Sequence, residues 1–148
     1  MLYWRDGNVF LAADQVLARI SPNIGVWAVE PEGDPLGLYL RSLAALRATI
    51  PADALVLPGH QLPFVGLHQR CRELAAHHDE RCAAIAEACS AKPRSVADLL
   101  PFVFPRALDP HQMGFAFSEV HAHVNRMKRQ GTLVRDAKDE DVHRYRLA

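Results

Sequence analysis

The hydrophobic period changes once along the chain, near residue 65, and that change constrains the fold more than any single residue does. From Gly66 to Cys89 the side chains Leu67, Cys71, Leu74, Ala75, His78, Cys82, Ile85, Ala86 and Cys89 recur at threes and fours, the spacing that lines one face of an α-helix. One long amphipathic helix is predicted there. Before residue 65 the apolar runs are short. Leu2-Tyr3-Trp4 and Val9-Phe10-Leu11-Ala12 flank Arg5-Asp6-Gly7-Asn8, a glycine-containing hairpin connection, and Ala54-Leu55-Val56-Leu57 reads as a buried strand stopped by Pro58-Gly59. Between them, Asp34-Pro35 supplies an N-cap and a first helical position ahead of Leu36, Leu40, Leu43, Ala44 and Arg47, a helix with one apolar face that Pro51 ends. Strand, strand, helix, strand is the order found in one layer of an α/β sandwich.

Beyond the long helix the texture stays helical. Ser95-Val-Ala-Asp98 is a capping box with Asp in place of Glu, opening a short helix that Pro101 or Pro105 interrupts. Asp109-Pro110 caps another, whose apolar face carries Phe117, Val120, Val124 and Met127 until Gly131 stops it. Thr132–Arg135 and Val142–Leu147 are strand-like runs around an acidic turn from Asp136 to Asp141. Three helices followed by a two-stranded ribbon is the order of a winged helix. The expected fold class is therefore α+β, divided into residues 1–65 and residues 66–148.

A chain of 148 residues, 49% hydrophobic and 23% charged, can bury a core and has the composition of a soluble globular protein. Its 17 basic and 17 acidic side chains cancel, so no overall field recruits nucleic acid or an anionic membrane. No apolar run approaches the roughly 20 residues that a membrane span needs, and the first residues carry a charge and a turn too early for a secretory apolar core. Cys71, Cys82 and Cys89 are odd in number and wrongly spaced for a CxxC metal site, which favours buried reduced thiols and a cytoplasmic location.

Two of the short apolar runs each deliver a metal-ligand type of side chain where a strand gives way to a loop: Phe10-Leu-Ala-Ala-Asp14 and Leu55-Val-Leu-Pro-Gly-His60. A carboxylate has two oxygens and can bridge two cations, whereas a neutral imidazole supplies one nitrogen. Asp14-Gln-Val-Leu-Ala-Arg-Ile-Ser-Pro-Asn-Ile-Gly25, Leu57-Pro-Gly-His60, and the helical segment through Phe115-Ala-Phe-Ser-Glu-Val-His-Ala-His123 resemble the C-terminal part of metallo-β-lactamase-fold hydrolases, of the glyoxalase II-like superfamily, in the subgroup that ends in a winged-helix domain. The resemblance covers nearly the whole chain. It implies a truncated αββα domain followed by the winged helix, and a dinuclear site in the complete protein, most often zinc, in which Asp14 bridges both ions and His60 holds the second. The other ligands belong to an upstream HxHxDH motif and a further His, neither of which has a counterpart here. Ala13 and Gln61 depart from the family, which usually has Gly at both places. Zinc needs about four ligands per ion, so Asp14 and His60 are half of a site. The chain alone is expected to be inactive and to bind zinc weakly or not at all.

Other histidines read as structural. His121-Ala-His123 is an HxH pair, but helix neighbours two apart point about 200° away from each other, so His121 is expected half-buried and His123 toward solvent. His77-His78-Asp79-Glu80 lies mid-helix, and His68 and His111 enter helices. A rival function is a nucleic-acid-binding module. From Ser118 to Ala148 there are seven Lys or Arg against five Asp or Glu, with Arg126, Lys128, Arg129, Arg144 and Arg146 as candidate phosphate contacts. Four of those acids sit in the expected wing turn and oppose a duplex backbone. A third reading makes the terminal domain a dimerisation element. For the complete protein the resemblance implies a small ester or thioester, or RNA, as substrate. Strand edges and apolar faces left uncovered by a truncated sandwich predict a homodimer.

Overall fold

The computed structural model describes residues 1–136 and 142–148; of the expected acidic turn, all but Asp136 lies outside the described residues. Among these there are four helices and two three-stranded sheets, a mixed α+β chain. They group into two compact units, residues 1–22 with 39–77, and residues 23–38 with 78–148.

In the first unit, β1 (Leu2–Trp4) and β2 (Val9–Ala13) form the expected hairpin, and β3 (Leu55–Pro58) lies parallel to β2, in the order β1-β2-β3. The connection is held by Asn8 N–H donating to the Arg5 carbonyl at 3.1 Å and by Tyr3 Oη donating to Asn8 Oδ1 at 3.0 Å. The register pairs Leu2 with Leu11, Trp4 with Val9, Val9 with Leu55 and Leu11 with Leu57. Because side chains alternate across a strand, these six share one face, and Phe10 and Val56 share the other. Phe10 and Val56 are buried, whereas Leu2, Trp4, Leu11 and Leu55 are exposed, by 64%, 57%, 44% and 40%. The run 54–57 is therefore not a wholly buried strand: β3 has one buried face and one bare apolar face.

α1 (Pro35–Thr49) starts where Asp34-Pro35 predicts, with Asp34 Oδ1 accepting from Gly37 N–H at 2.8 Å. Its buried stripe is Leu36, Tyr39, Leu43 and Leu46, continued by Ile50 just past its end, whereas Ala44 and Arg47, expected on the apolar face, are exposed. The true stripe steps by three and four and includes an aromatic residue. α2 (Leu67–Ser90) is the long helix, with Leu67, Cys71, Leu74, His78, Ile85 and Cys89 buried in the expected register. All three cysteines are free thiols, two buried and Cys82 half-buried. Burial pushes the Cys71 and Cys82 thiols up to about 11, which keeps them protonated and unreactive.

In the second unit a two-residue strand, β4 (Arg94–Ser95), precedes α3 (Val96–Val103) and α4 (Pro110–Arg129); β5 (Leu133–Asp136) and β6 (Arg144–Leu147) follow. The sheet order is β4-β6-β5, antiparallel throughout. The capping box forms: Ser95 Oγ accepts from Asp98 N–H at 3.2 Å and Asp98 Oδ2 accepts from Ser95 N–H at 2.9 Å. The Ser95 backbone N–H first, then its side chain and Arg144, hold the Asp98 carboxyl below the usual carboxylate range. Pro101 does not interrupt α3; the helix continues to Val103 and closes with Phe104 N–H on the Leu100 carbonyl before Pro105. Asp109 caps α4 through Gln112 N–H at 2.8 Å, and Gly131, at φ +74°, ends it. Ile85, Leu99, Val120, Val124, Met127, Leu133 and Tyr145 form the core of this unit, whereas Phe117, expected on the apolar face of α4, is 43% exposed. No described helix is long and apolar enough to cross a membrane.

Two local features set measurable costs. Replacing Ser95 by Ala should lower the unfolding free energy by about 1 kcal/mol in urea titration, the usual value of an N-cap. Ala13 sits at φ +48° on the bulge between Leu11 and Ala13 of β2, in the left-handed region that costs an L residue roughly 1–2 kcal/mol. Ala13→Gly should therefore raise stability by about 0.5–1 kcal/mol after the added unfolded-state entropy is subtracted, and a lower urea midpoint would contradict this.

Candidate metal-binding residues

Asp14 follows the last residue of β2, and His60 follows the Pro58-Gly59 end of β3. Because β2 and β3 are parallel neighbours, their C-terminal ends lie side by side, where polar groups of an α/β sheet converge. His60 Nδ1 is 2.8 Å from Asp14 Oδ1. Both side chains are open to solvent, at 66% and 62% exposure. Gly59 makes this approach possible, since a Cβ there would fall 2.5 Å from Asp14 Oδ1. Gln15 N–H returns to the Ala12 carbonyl at 3.1 Å and Gly59 N–H to the Ala13 carbonyl at 2.9 Å, so backbone bonds fix both turns.

The two departures from glycine have a common geometry. Ala13 at φ +48° and Gln61 at φ +70° both hold the left-handed conformation that glycine adopts without strain. The backbone shape is kept with non-glycine residues. Gln61 gains a contact from this, its Oε1 accepting from Arg19 N–H at 2.9 Å. As a donor set, one carboxylate and one imidazole at adjacent strand ends suit zinc in type. In number they fall short of the roughly four donors per ion that it takes.

The histidines expected to be structural fall into two groups. His68 Nε2 donates to the Ile50 carbonyl at 2.8 Å just past the end of α1, and His111 stacks edge-on to Phe115 with ring centroids 4.9 Å apart. His121 is half-buried as expected, and burial draws its pKa below the ordinary histidine value. His123 departs from expectation. It is fully buried, with Nδ1 2.7 Å from the Glu119 carbonyl and Nε2 3.1 Å from His78 Nδ1. Glu119 is buried too and pairs with Arg81. The donor atoms of His78, Glu119 and His123 all lie within 4.8 Å of one another. Sequence spacing contains two of the three residues of this cluster: Glu119 and His123 are four apart, each next to a buried valine, Val120 and Val124, on the buried face of α4. The partner from α2 is not visible in sequence.

Of the five candidate phosphate contacts, several are engaged internally. Lys128 Nζ pairs with Glu32 at 2.7 Å, Arg129 Nη2 donates to the Glu32 carbonyl at 2.7 Å, and Arg144 Nη1 pairs with Asp98 at 2.7 Å. Arg146 Nη1 donates to the neighbouring Leu147 carbonyl at 2.9 Å, and Arg126 is half-buried. The segment carrying Glu32 is itself anchored to α4, where Asn125 Nδ2 donates to the Pro31 and Gly33 carbonyls at 2.8 and 2.9 Å.

Comparison with known proteins places these observations. No curated protein sequence matches the chain. Residues 82–148 match the family described as metallo-β-lactamase-like, C-terminal domain. Among solved structures, a β-lactamase domain protein from Burkholderia ambifaria is 46% identical, with a TM-score of 0.91 over 97% of this chain. A metallo-β-lactamase family protein from Thermus thermophilus is 33% identical, with a TM-score of 0.82 over 99% of this chain. The chain spans 42% and 44% of those two proteins' lengths. Residues 82–148 thus resemble a metallo-β-lactamase-like C-terminal domain, and the mixed α+β fold of the chain is similar to part of the two metallo-β-lactamase-type proteins.

Proposed function

We propose that this chain is the C-terminal part of a metal-dependent hydrolase of the glyoxalase II-like group, with residues 1–65 contributing to an αββα domain and residues 66–148 forming a winged helix. The observation that carries the reading is the 2.8 Å approach of Asp14 and His60 at the ends of two parallel strands, each ending in the motif that the resemblance makes a ligand. In the complete protein Asp14 and His60 would be among the residues that hold zinc. The chemistry that zinc supplies in such a site is acidification of water and polarisation of an ester, thioester or phosphodiester. This chain's own residues hold and orient: the carboxylate presents two oxygens, and the bulge at Ala13 and the close approach at Gly59 keep it beside the imidazole. The helix, short strand, two helices and two-stranded ribbon of the second unit, with sheet order β4-β6-β5, support the winged-helix assignment.

The alternative, a winged-helix nucleic-acid-binding or dimerisation module without catalysis, draws on Arg126, Lys128, Arg129, Arg144 and Arg146. Lys128 and Arg144 already face carboxylates, which removes charge from any phosphate-binding surface and favours the hydrolase reading. Read in frame upstream of Met1, the gene should encode an HxHxDH motif. The full-length product should lose at least about 100-fold in kcat/KM toward its ester or thioester substrate on Asp14→Asn or His60→Ala, since ligand loss exceeds the 10–100-fold typical of outer-shell partners. Activity that survives both substitutions, or zinc-dependent turnover by these 148 residues alone, counts against it.

The bare apolar face of β1-β2-β3, with Leu2, Trp4, Leu11 and Leu55 exposed, supports a covering layer. In the complete protein the remainder of the αββα domain supplies it; in the chain alone a second copy does. Light scattering at micromolar concentration should give a mass of twice 16.5 kDa, and a strict monomer would remove the homodimer.

A further inference from the structure

The interior of the second unit holds a group of polar side chains that packing does not need. His78 comes from α2, Glu119 and His123 come from α4, and Arg81 closes on Glu119. His78 and His123 are completely buried and Glu119 is 6% exposed. Burying three such groups beside Val120, Val124 and Ile85 costs free energy that an apolar trio would not. Their geometry states what they are arranged for. The Glu119 carbonyl can only accept, so His123 carries its proton on Nδ1 and presents the Nε2 lone pair toward His78. An imidazole whose far N–H is tied to a backbone carbonyl is the usual outer support of a histidine metal ligand. The two facing nitrogens are 3.1 Å apart, close to the roughly 3.3 Å that separates neighbouring donors on a tetrahedral ion with bonds of about 2.0–2.1 Å.

We propose that His78 Nδ1, His123 Nε2 and the Glu119 carboxylate bind one divalent first-row transition ion of the zinc and cobalt type, and that Arg81 is the cation that competes with it for Glu119. Two neutral imidazoles and a carboxylate are a donor set for such an ion and leave a fourth position for water. The three donors, now within 4.8 Å, close toward that spacing when the carboxylate turns from Arg81 to the imidazoles. The proton that His78 shares with His123 moves to His78 Nε2, so no charge is lost from the rings. Arg81 is poised to yield. Its guanidinium also lies over the Phe104 ring, 4.8 Å from the centroid, a contact that does not depend on Glu119. The ion and Arg81 are thus alternative counter-charges for one buried carboxylate, since two cations crowding it repel each other. The cluster shares no residue with the Asp14–His60 pair.

Cobalt(II) titration of the full chain, read from its visible d–d absorption, tests the proposal. One equivalent should bind, and zinc should bleach the bands. Binding should survive in Asp14→Ala/His60→Ala, weaken by at least about 100-fold in His123→Gln, and tighten by about tenfold in Arg81→Gln. The exposed double variant and the Arg81 variant keep the test readable if His123→Gln fails to fold. Absence of bands in both the wild type and Arg81→Gln at millimolar cobalt overturns the site, as does their disappearance in Asp14→Ala/His60→Ala. Unchanged or weaker binding in Arg81→Gln overturns the competition. None of these readouts depends on hydrolysis, so failure here is distinguishable from failure of the hydrolase reading.

Discussion

A three-stranded sheet with two apolar faces and cover on only one of them governs the first unit. Phe10 and Val56 face a core, whereas Leu2, Trp4, Leu11 and Leu55 face solvent across the same strands. At about 25 cal/mol per Å², bare side chains of that size forgo several kcal/mol of burial. The same sheet positions Asp14 and His60, because a parallel β2–β3 pair brings two strand ends to one place. Site and bare face follow from the same topology. The chain spans 42–44% of the length of its two structural relatives.

Where local chemistry decided the outcome, the sequence was sufficient. Asp34-Pro35, Ser95 with Asp98, and Asp109-Pro110 each open a helix as their cap chemistry requires, and Gly131 closes α4 with the positive φ that it tolerates. The long α2 register was legible because one apolar stripe runs its whole length. Long-range pairing was not. β4 is two residues long and exists only because β6, some fifty positions later, comes alongside. Segment 23–38 groups with the second unit through Asn125 and Glu32, and no periodicity announces that. Of the two prolines that can end α3, Pro105 follows its C-cap; Pro101, at the sixth position of an eight-residue helix, removes only a single backbone bond, an acceptable loss in a helix whose Leu99 is fully buried.

The histidines show the same boundary between local and long-range information. Helix geometry correctly sends His121 and His123 to different sides of α4, but it cannot say which side is inside. The assignment went the wrong way because the middle of α4 is covered on more than one side: Ala122, His123, Val124 and Asn125 are all buried in succession. His123 also lies three residues after Val120 and four before Met127, on the apolar side of α4. Here α2 supplies His78 opposite it and the Pro31–Gly33 backbone covers Asn125. A buried polar row of this kind marks a helix that has become central.

Charge placement in the second unit argues in the same direction as composition. The excess of Lys and Arg after Ser118 looks like a phosphate-binding patch when counted, but Lys128 and Arg129 bind the Glu32 segment and Arg144 binds the carboxylate of the α3 cap. To meet a phosphate backbone, Arg144 would have to leave a carboxylate that the Ser95 backbone already holds ionised, and Lys128 would have to release the segment that covers α4. Each exchange trades one partly exposed ion pair for another, with little net gain. These three cations fasten a connecting segment and a helix start to the unit that carries them.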